Sequence, residues 1–492
     1  MGTQSMRQVL VLIAVSTFVS LGYSGQGAGG ASDGELMVED MTTRVSVASD
    51  GTEANGASYC ERFCISVDGR FVTFWSRASN LVPDDTNGVE DVFVHDCWLH
   101  ETARLSVASD GSEGNASSGS PAISADGRYV AFSSWANNLV PDDINGMWDI
   151  FVYELGTGEI SRVSVASDGT EANAGCSDPS LSVDGRYVAF WSSATNLGPG
   201  SLPRTRNVFV HDRPTRQTLL VSAASDGTPG NRESGHPSVS ADGGYVAFSS
   251  YSTNLAPGHL STTSRVFVHV LRTGETSLAS IASDGTPGNG WSGAPAISGD
   301  GRYVSFRSVA QNLVPRDSNG RYDVFVHDRH TGQTSRVSIA SDGKQGNGDC
   351  FGSAISADGR YVAFASKASN LVADDTNGKD DVFVHDRHTG QTIRVSIASD
   401  GEESSGYSFA PSISPNGMFV AFSSDASNLV VGDTNGTSDI FVHDRGLVVG
   451  PVSYFPLLMF SRTNSLENSN GSRHIAGKPL AEWVGEDTYG KP

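Results

Sequence analysis

One segment recurs seven times along this 492-residue chain, at a spacing of 58 residues. The hydrophobic residue before each Ser-x-Asp-Gly-like turn falls in a single ungapped column: Ile65, Ile123, Leu181, Val239, Ile297, Ile355 and Ile413. A fixed period of this size comes from stacked supersecondary units, none of which can bury its apolar face alone. Length by itself suggests about three domains, but the repeat replaces that prior with one unit over 42–445. It also says where to look for function. Near-identical copies form a scaffold, so unique chemistry has to sit where the copies differ.

Copy two shows what one unit folds into. Pro121-Ala122-Ile123-Ser124 reads as a short strand, and the Asp126-Gly127 turn joins it to Tyr129-Val130-Ala131-Phe132-Ser133. Asp-Gly between two such runs is a strong hairpin signal. A polar loop ending near Trp148 leads to a third strand, Asp149-Ile150-Phe151-Val152-Tyr153. The turn Leu155-Gly156-Thr157-Gly158 leads to a fourth, expected over Ser161–Ala166. The second and third strands are apolar on both faces, as sheets packed between two others require. Four antiparallel strands per repeat make the blade of a β-propeller. The expected fold is therefore all-β, a seven-bladed propeller of four-stranded blades.

Copy seven breaks off after Asp444-Arg445 without its fourth strand, and the missing pattern stands at the other end of the chain as Thr43-Arg44-Val45-Ser46-Val47. The N-terminal strand is expected to complete the last blade and close the ring. Residues 1–31 read as a secretory signal, with Arg7 before an apolar core over Val9–Leu21 and small residues after it. Residues 32–41 read as a linker. Residues 446–492 read as a tail, polar and partly disordered toward its end. The expected location is secreted or periplasmic.

The core Pro-Ala-Ile-Ser-Ala-Asp-Gly-Arg-Tyr-Val-Ala-Phe over 121–132 resembles the PD40, or WD40-like, repeat of the TolB-like propellers. The likeness recurs in all seven copies. It implies the propeller fold and leaves function open, because this repeat occurs in periplasmic partner-binding proteins, peptidase gating domains and polysaccharide lyases. The TolB-like pattern places an α/β domain before six blades, whereas about forty residues precede seven copies here. The residues after copy seven do not read as a serine-hydrolase domain.

The formal net charge of −22 disfavours nucleic acid and anionic membrane surfaces as partners. Five cysteines leave at least one unpaired within the chain, and Cys60 with Cys64 is the one sequence-local pair. No paired CxxC spacing supports a zinc site.

Strand order puts the loop between strands two and three on the same face as the connection between blades. That loop repeats Asp-x-Asn-Gly-x-x-Asp, as Asp85, Asn87, Asp91; Asp143, Asn145, Asp149; Asp317, Asn319, Asp323; Asp375, Asn377, Asp381; and Asp433, Asn435, Asp439. Oxygen ligands at the first, third and seventh positions around a glycine resemble the opening of a calcium loop, without its closing bidentate Glu. Calcium is the cofactor this spacing suggests, held weakly, of order 10⁻⁴–10⁻³ M. Turn chemistry alone selects the same residues. Copies three and four lack the motif. The histidine of strand three (His95, His211, His269, His327, His385, His443, with Tyr153 in copy two) reads as packing.

Bulky residues that differ between copies stand just before the inner strands: Tyr59, Arg232, Glu233, His236, Trp291, Phe351 and Tyr407. These are the candidate ligand contacts. No nucleophile–base–orienter set has a recognisable spacing, and no phosphate-cradling loop is present. The sequence therefore reads as an exported, non-catalytic propeller that binds a protein, peptide or glycan on its loop-rich face. The alternatives are a propeller enzyme of the polysaccharide lyase or hydrolase type, and a TolB-like periplasmic partner protein.

Overall fold

A computed structural model describes residues 41–201, 204–256 and 262–446. The expected signal and the tail beyond Gly446 lie outside the described residues, as does the linker apart from Met41. Within them, seven four-stranded antiparallel sheets form a ring. In blade 2 the strands run Ser118–Ile123, Tyr129–Ser134, Asp149–Glu154 and Glu159–Arg162 from the axis outward. The outer strand ends at Arg162, four residues before the expected limit. Val163 then turns inward to be buried, and Val165 bridges to Glu171 in the connection to the next blade.

The ring closes as the sequence predicts. Met41–Arg44 pairs antiparallel with Asp439–Asp444, in a register that sets Arg44 opposite Phe441. Closure leaves no open sheet end in the ring. In each blade a phenylalanine pair fills the core, stacked as in Phe132–Phe151 at 5.9 Å and Phe422–Phe441 at 5.9 Å, or tilted as in Phe190–Phe209 at 6.1 Å.

On the face with the tight turns, each blade is locked to the one before it by repeated chemistry. The glycine of the Ser-x-Asp-Gly turn has positive φ and lies beneath an aromatic ring of the preceding blade. Gly243 (φ +71°) lies under Tyr187 so closely that a Cβ would overlap the ring. Arginines stack on the same rings, as Arg387 does over Tyr303 at 4.2 Å and Arg445 over Tyr361 at 4.3 Å. The strand-three histidine bonds a threonine of strand four, whose hydroxyl donates to a carbonyl of the preceding blade. His385 Nδ1 lies 2.8 Å from Thr392 Oγ1, which donates to the Ile339 carbonyl at 2.5 Å. Across the closure, Thr42 does the same with His443 and Ile397. Burial holds these histidines neutral, with His95, His211, His327, His385 and His443 lowered to about 4. Copy two replaces both partners at once, with Tyr153 opposite Ile160.

The central channel is lined at its narrow end by the column that defined the repeat, from Ile65 round to Ile413, leaving about 100 Å³. Five inner strands kink at a bulge where the residue before the proline (Ser120, Asp178, His236, Ala294 or Ala410) takes positive φ, and in blade 6 Gly352 does so before Ser353. Blade 1 departs from this pattern. Phe63 replaces the proline and itself carries the positive φ of 69°, and the regular inner strand is reduced to Ser58–Tyr59. Cys60 and Cys64 stay anchored in the core against blade 7, while Glu61–Phe63 between them reaches the channel mouth. Phe63 packs on the far side of the ring against the cluster of Ala296 and Ile355. Arg62 Nη1 donates to the Pro295 carbonyl at 2.9 Å.

Candidate functional site

The Asp-x-Asn-Gly-x-x-Asp loops converge on a guanidinium. In blade 1, Arg104 Nη1 lies 3.3 Å from Asp85, 3.5 Å from Asp91 and 2.9 Å from Glu113 of the following connection. Asn87 donates its amide to Asp91 at 2.8 Å, while its carbonyl accepts from the Val89 amide at 3.0 Å. Ser106 donates to the other Asp91 oxygen. Asp143 and Asp149 around Arg162, Asp317 and Asp323 around Arg336, Asp375 and Asp381 around Arg394, and Asp433 and Asp439 around Arg44 repeat the pattern. Asn145, Asn319, Asn377 and Asn435 take the place of Asn87.

Burial and the second aspartate push Asp143, Asp375 and Asp433 up to about 6, against the pull of the arginine. The second aspartate of each motif is taken up by serine, asparagine and arginine, while Asp143 Oδ1 and Asp317 Oδ1 accept no hydrogen bond and face a guanidinium, whose charge opposes a cation at that point. The Asn side chains are turn formers, and the loops serve as staples between blades. Among the described residues no group of three or more His, Cys, Asp or Glu is arranged to hold a metal ion.

The two blades without the motif also lack the arginine. Leu220 and Leu278 stand in its column, and Pro229 and Pro287 replace the connecting Glu. Blade 4 instead carries Arg265 in the column of Asp91, where its guanidinium reaches the carbonyl of Gly288 at 2.6 Å.

The ligand candidates share one face without forming one site. Tyr59 stacks on Trp75 at 4.7 Å. Glu233 pairs with Arg206 at 2.7 Å, beside Arg232 in a shallow depression. Trp291 and Phe351 flank Arg307, whose guanidinium lies 3.8 Å over Tyr322. Tyr407 carries Lys379 at 4.6 Å. His236 belongs to a different group, at the channel mouth.

A cleft of about 560 Å³ opens over blades 1 to 3 on the same face. Four of the chain's seven tryptophans line it: Trp75, Trp135, Trp148 and Trp191. Trp135 and Trp148 stack with centroids 6.3 Å apart, and Trp135 donates its indole N–H to the Gly146 carbonyl at 3.0 Å, which fixes the ring while leaving its face open. Ser117, Ser120, Ser133 and Ser177 supply hydroxyls, and Glu61 and Glu90 are the carboxyl-bearing residues of the lining. Glu90 is held ionised by Ser117 and Arg77, the serine contributing most.

Beside Glu61, outside the lining of the cleft, lies a group found in one copy only. Asp178 Oδ2 bonds His236 Nδ1 at 3.1 Å, and Arg62 Nη2 lies 3.6 Å from Asp178 and 3.5 Å from His236. Glu61 accepts from Ser120 Oγ at 3.1 Å. Burial first, then the charge of Asp178, raises the Glu61 carboxyl above the usual range. Against the cost of burial, the His236 hydrogen bond and Arg62 hold Asp178 below it. The two carboxyls are thus driven apart by their surroundings.

Sequence reasoning named His236 and missed the rest. The signal was present as broken columns. Trp75 and Trp191 occupy a strand-two position that holds Ser133, Ser249, Ser423, Ala365 or Arg307 elsewhere, and Arg62, Ser120, Asp178 and His236 share one column. Cys60 and Cys64, the expected local pair, are free buried thiols, and Cys64 is raised by burial and by Cys60 beside it.

No family model and no curated protein matches this chain in sequence. Its fold is similar to that of an oligogalacturonate lyase in complex with manganese, at 14% identity and a TM-score of 0.51, over 82% of this chain and 92% of that one. An oligogalacturonate lyase from Vibrio parahaemolyticus gives 13% identity and a TM-score of 0.48, over 83% and 97%. TolB from Acinetobacter baumannii gives 16% and 0.37, over 62% and 59%. At these identities the likeness is one of fold. No helix among the described residues is long and apolar enough to cross a membrane.

Proposed function

We propose that this chain is a glycan-binding propeller of the cell exterior that holds a neutral oligosaccharide across blades 1 to 3. The tryptophan cleft carries the reading. Indole faces suit the apolar C–H face of a pyranose ring, and four of them line a volume in the range of ordinary ligand sites. The serine hydroxyls between the rings keep lone pairs that can accept hydrogen bonds from sugar hydroxyls.

Charge selects the class of sugar. The lining holds carboxylates and no unpaired cation, and the whole chain is at −22. A polyuronate would meet the field of a strongly acidic chain, and a neutral glycan would not. The substrate named for the lyase neighbours is therefore disfavoured here.

Tryptophan fluorescence titration with neutral cello-, xylo-, manno- and N-acetylchito-hexaoses tests this. Saturable quenching is expected with at least one of them, lost about tenfold or more in Trp135→Ala, and absent with oligogalacturonate. Trp135 is 54% exposed, so its truncation leaves the fold intact. A peptide ligand, or no saturation by any neutral glycan, rejects the reading.

A further inference from the structure

We infer that Arg307, boxed by Trp291, Tyr322 and Phe351, forms a second binding site on the loop face, which takes the carboxylate of a small acid with an apolar body. The site belongs to blades 5 and 6, apart from the tryptophan cleft, and does not rest on the glycan reading.

The state of the guanidinium carries the inference. It lies 3.8 Å over the Tyr322 ring, 5.1 Å from the centre of Phe351 and 5.8 Å from that of Trp291. The rings surround the group without using its donors. Among the described residues Arg307 makes no hydrogen bond and no ion pair, and its Nε is buried. The staple arginines differ, for Arg104 alone reaches three carboxylates. Donors left idle beside apolar walls cost free energy that an acceptor on a ligand recovers.

A second cation points the same way. Lys367 Nζ lies 5.2 Å from the centre of the same Phe351 ring, and it too makes no ion pair among the described residues. Two like charges that share one ring repel, and an anion between them relieves this. The nearby carboxylates do not fill that place. Asp349 accepts from the Tyr322 amide at 3.0 Å and faces Arg321 at 3.6 Å, while Asp380 acts on Lys367 from beyond ion-pair distance. Arg307 is also a broken column. Its place holds Trp75, Ser133, Trp191, Ser249, Ala365 and Ser423 in the other copies, so no packing duty common to the blades requires an arginine.

Geometry selects the anion. With Tyr322 over one face, the guanidinium is left to be met along its edge. A carboxylate is flat and meets two of those donors at once. A tetrahedral phosphate or sulfate carries oxygens out of that plane, toward the rings. Trp291 and Phe351 offer their faces to the apolar body of the acid.

The test is calorimetric titration of the full chain with 3-phenylpropionate, its neutral amide, phenyl phosphate and galacturonate. Saturable binding of the acid is expected. The amide lacks the charge and galacturonate lacks the apolar body, and each should bind about tenfold or more weakly. Arg307→Ser installs the residue that blades 2, 4 and 7 carry at this place, and should weaken the acid about tenfold or more. Arg307→Lys, which keeps the charge without the fork, should fall between it and wild type, and it decides the matter if the serine variant fails to fold. Lys367→Gln should cost about threefold. Trp135→Ala should leave the acid within about twofold, just as Arg307→Ser should leave the neutral hexaoses, so that this site and the glycan site fail separately. Amide binding as tight as the acid overturns the carboxylate assignment, and tighter binding of phenyl phosphate overturns the planar one. Unchanged affinity in Arg307→Ser, loss of the acid in Trp135→Ala, or no saturation by the acid overturns the site itself.

Discussion

The two faces of the ring use the same backbone for opposite purposes. On the turn face, columns repeat: a glycine under an aromatic ring, an arginine on that ring, a histidine bonded to a threonine. On the loop face over blades 1 to 3, columns break. Tryptophans appear where serines stand elsewhere, and blade 1 gives up a regular inner strand to put Glu61 and Arg62 across the channel mouth. Repetition marks what every blade needs in order to pack. Departure from it marks positions released from that duty. The staples lie on the loop face and yet repeat in five blades, so it is recurrence that assigns them to structure, whatever face they occupy.

The largest effect expected of this division is at the closure. Deleting residues 41–50 removes the strand paired with Asp439–Asp444, the Thr42–His443 latch and the Arg44 staple together. The expected loss exceeds about 5 kcal/mol, a large share of a domain's usual ~5–15 kcal/mol, with the single cooperative melting transition broken up. A closed ring that melts unchanged without this strand would contradict the account of repeated columns.

The staples come next. Arg104→Leu leaves Asp85 and Asp91 buried without their cation, which costs about 3–5 kcal/mol. Blade 3 carries the same leucine at no such cost because its column also reads Ser201, Asn207 and Pro229. The combined variant Arg104→Leu, Asp85→Ser, Asp91→Asn, Glu113→Pro should therefore recover most of the loss. Melting should respond equally to calcium and to chelator in wild type. A millimolar-calcium shift that disappears in the combined variant would return the loops to metal binding.

These cases show how far the sequence could be read. The fold was legible because a 58-residue period and the Asp-Gly turns report local backbone needs that every copy shares. The acidic loops were legible as a motif and not as staples. Arg104 stands well outside the motif in sequence, and only a comparison of columns couples it to Asp85 through their joint absence in copies three and four. The cleft was harder still. Trp135 and Trp148 each occupy a column of their own, and only ring geometry brings them beside Trp75 and Trp191. Tyr59, Trp291, Phe351 and Tyr407 attracted attention as visible aromatics, yet each is engaged with a neighbouring ring or cation.

A smaller effect separates turns that touch a neighbour from turns that do not. Gly243→Ala places a methyl group into Tyr187 at positive φ, and should cost about 3 kcal/mol. Gly285 has φ +85° and open space around it, so Gly285→Ala should show backbone strain alone, about 1 kcal/mol. Equal melting shifts would mean that the contact between blades contributes nothing.

The smallest effect uses the one natural exception on the turn face. His385 titrates at about 4 in the fold because burial disfavours its charged form, against about 6.5 when unfolded. Between those values the unfolded chain binds more protons. Stability from this group is therefore complete above pH 6.5 and lost as pH falls toward 4. Asp143, Asp375 and Asp433, raised to about 6, work in the other direction, since their native forms hold protons between about pH 4 and 6. The histidines are unopposed near pH 6.5 and partly offset below 6. Copy two avoids the titration by pairing Tyr153 with Ile160. Transplanting that pair as His385→Tyr with Thr392→Ile should leave neutral-pH stability within about 1.5 kcal/mol and reduce the loss between pH 6.5 and 5 by roughly 1.5 kcal/mol. Urea midpoints at those two pH values measure it. An unchanged difference would show that His385 is already charged in the fold, and that the repeated histidine column does more than hold blades together.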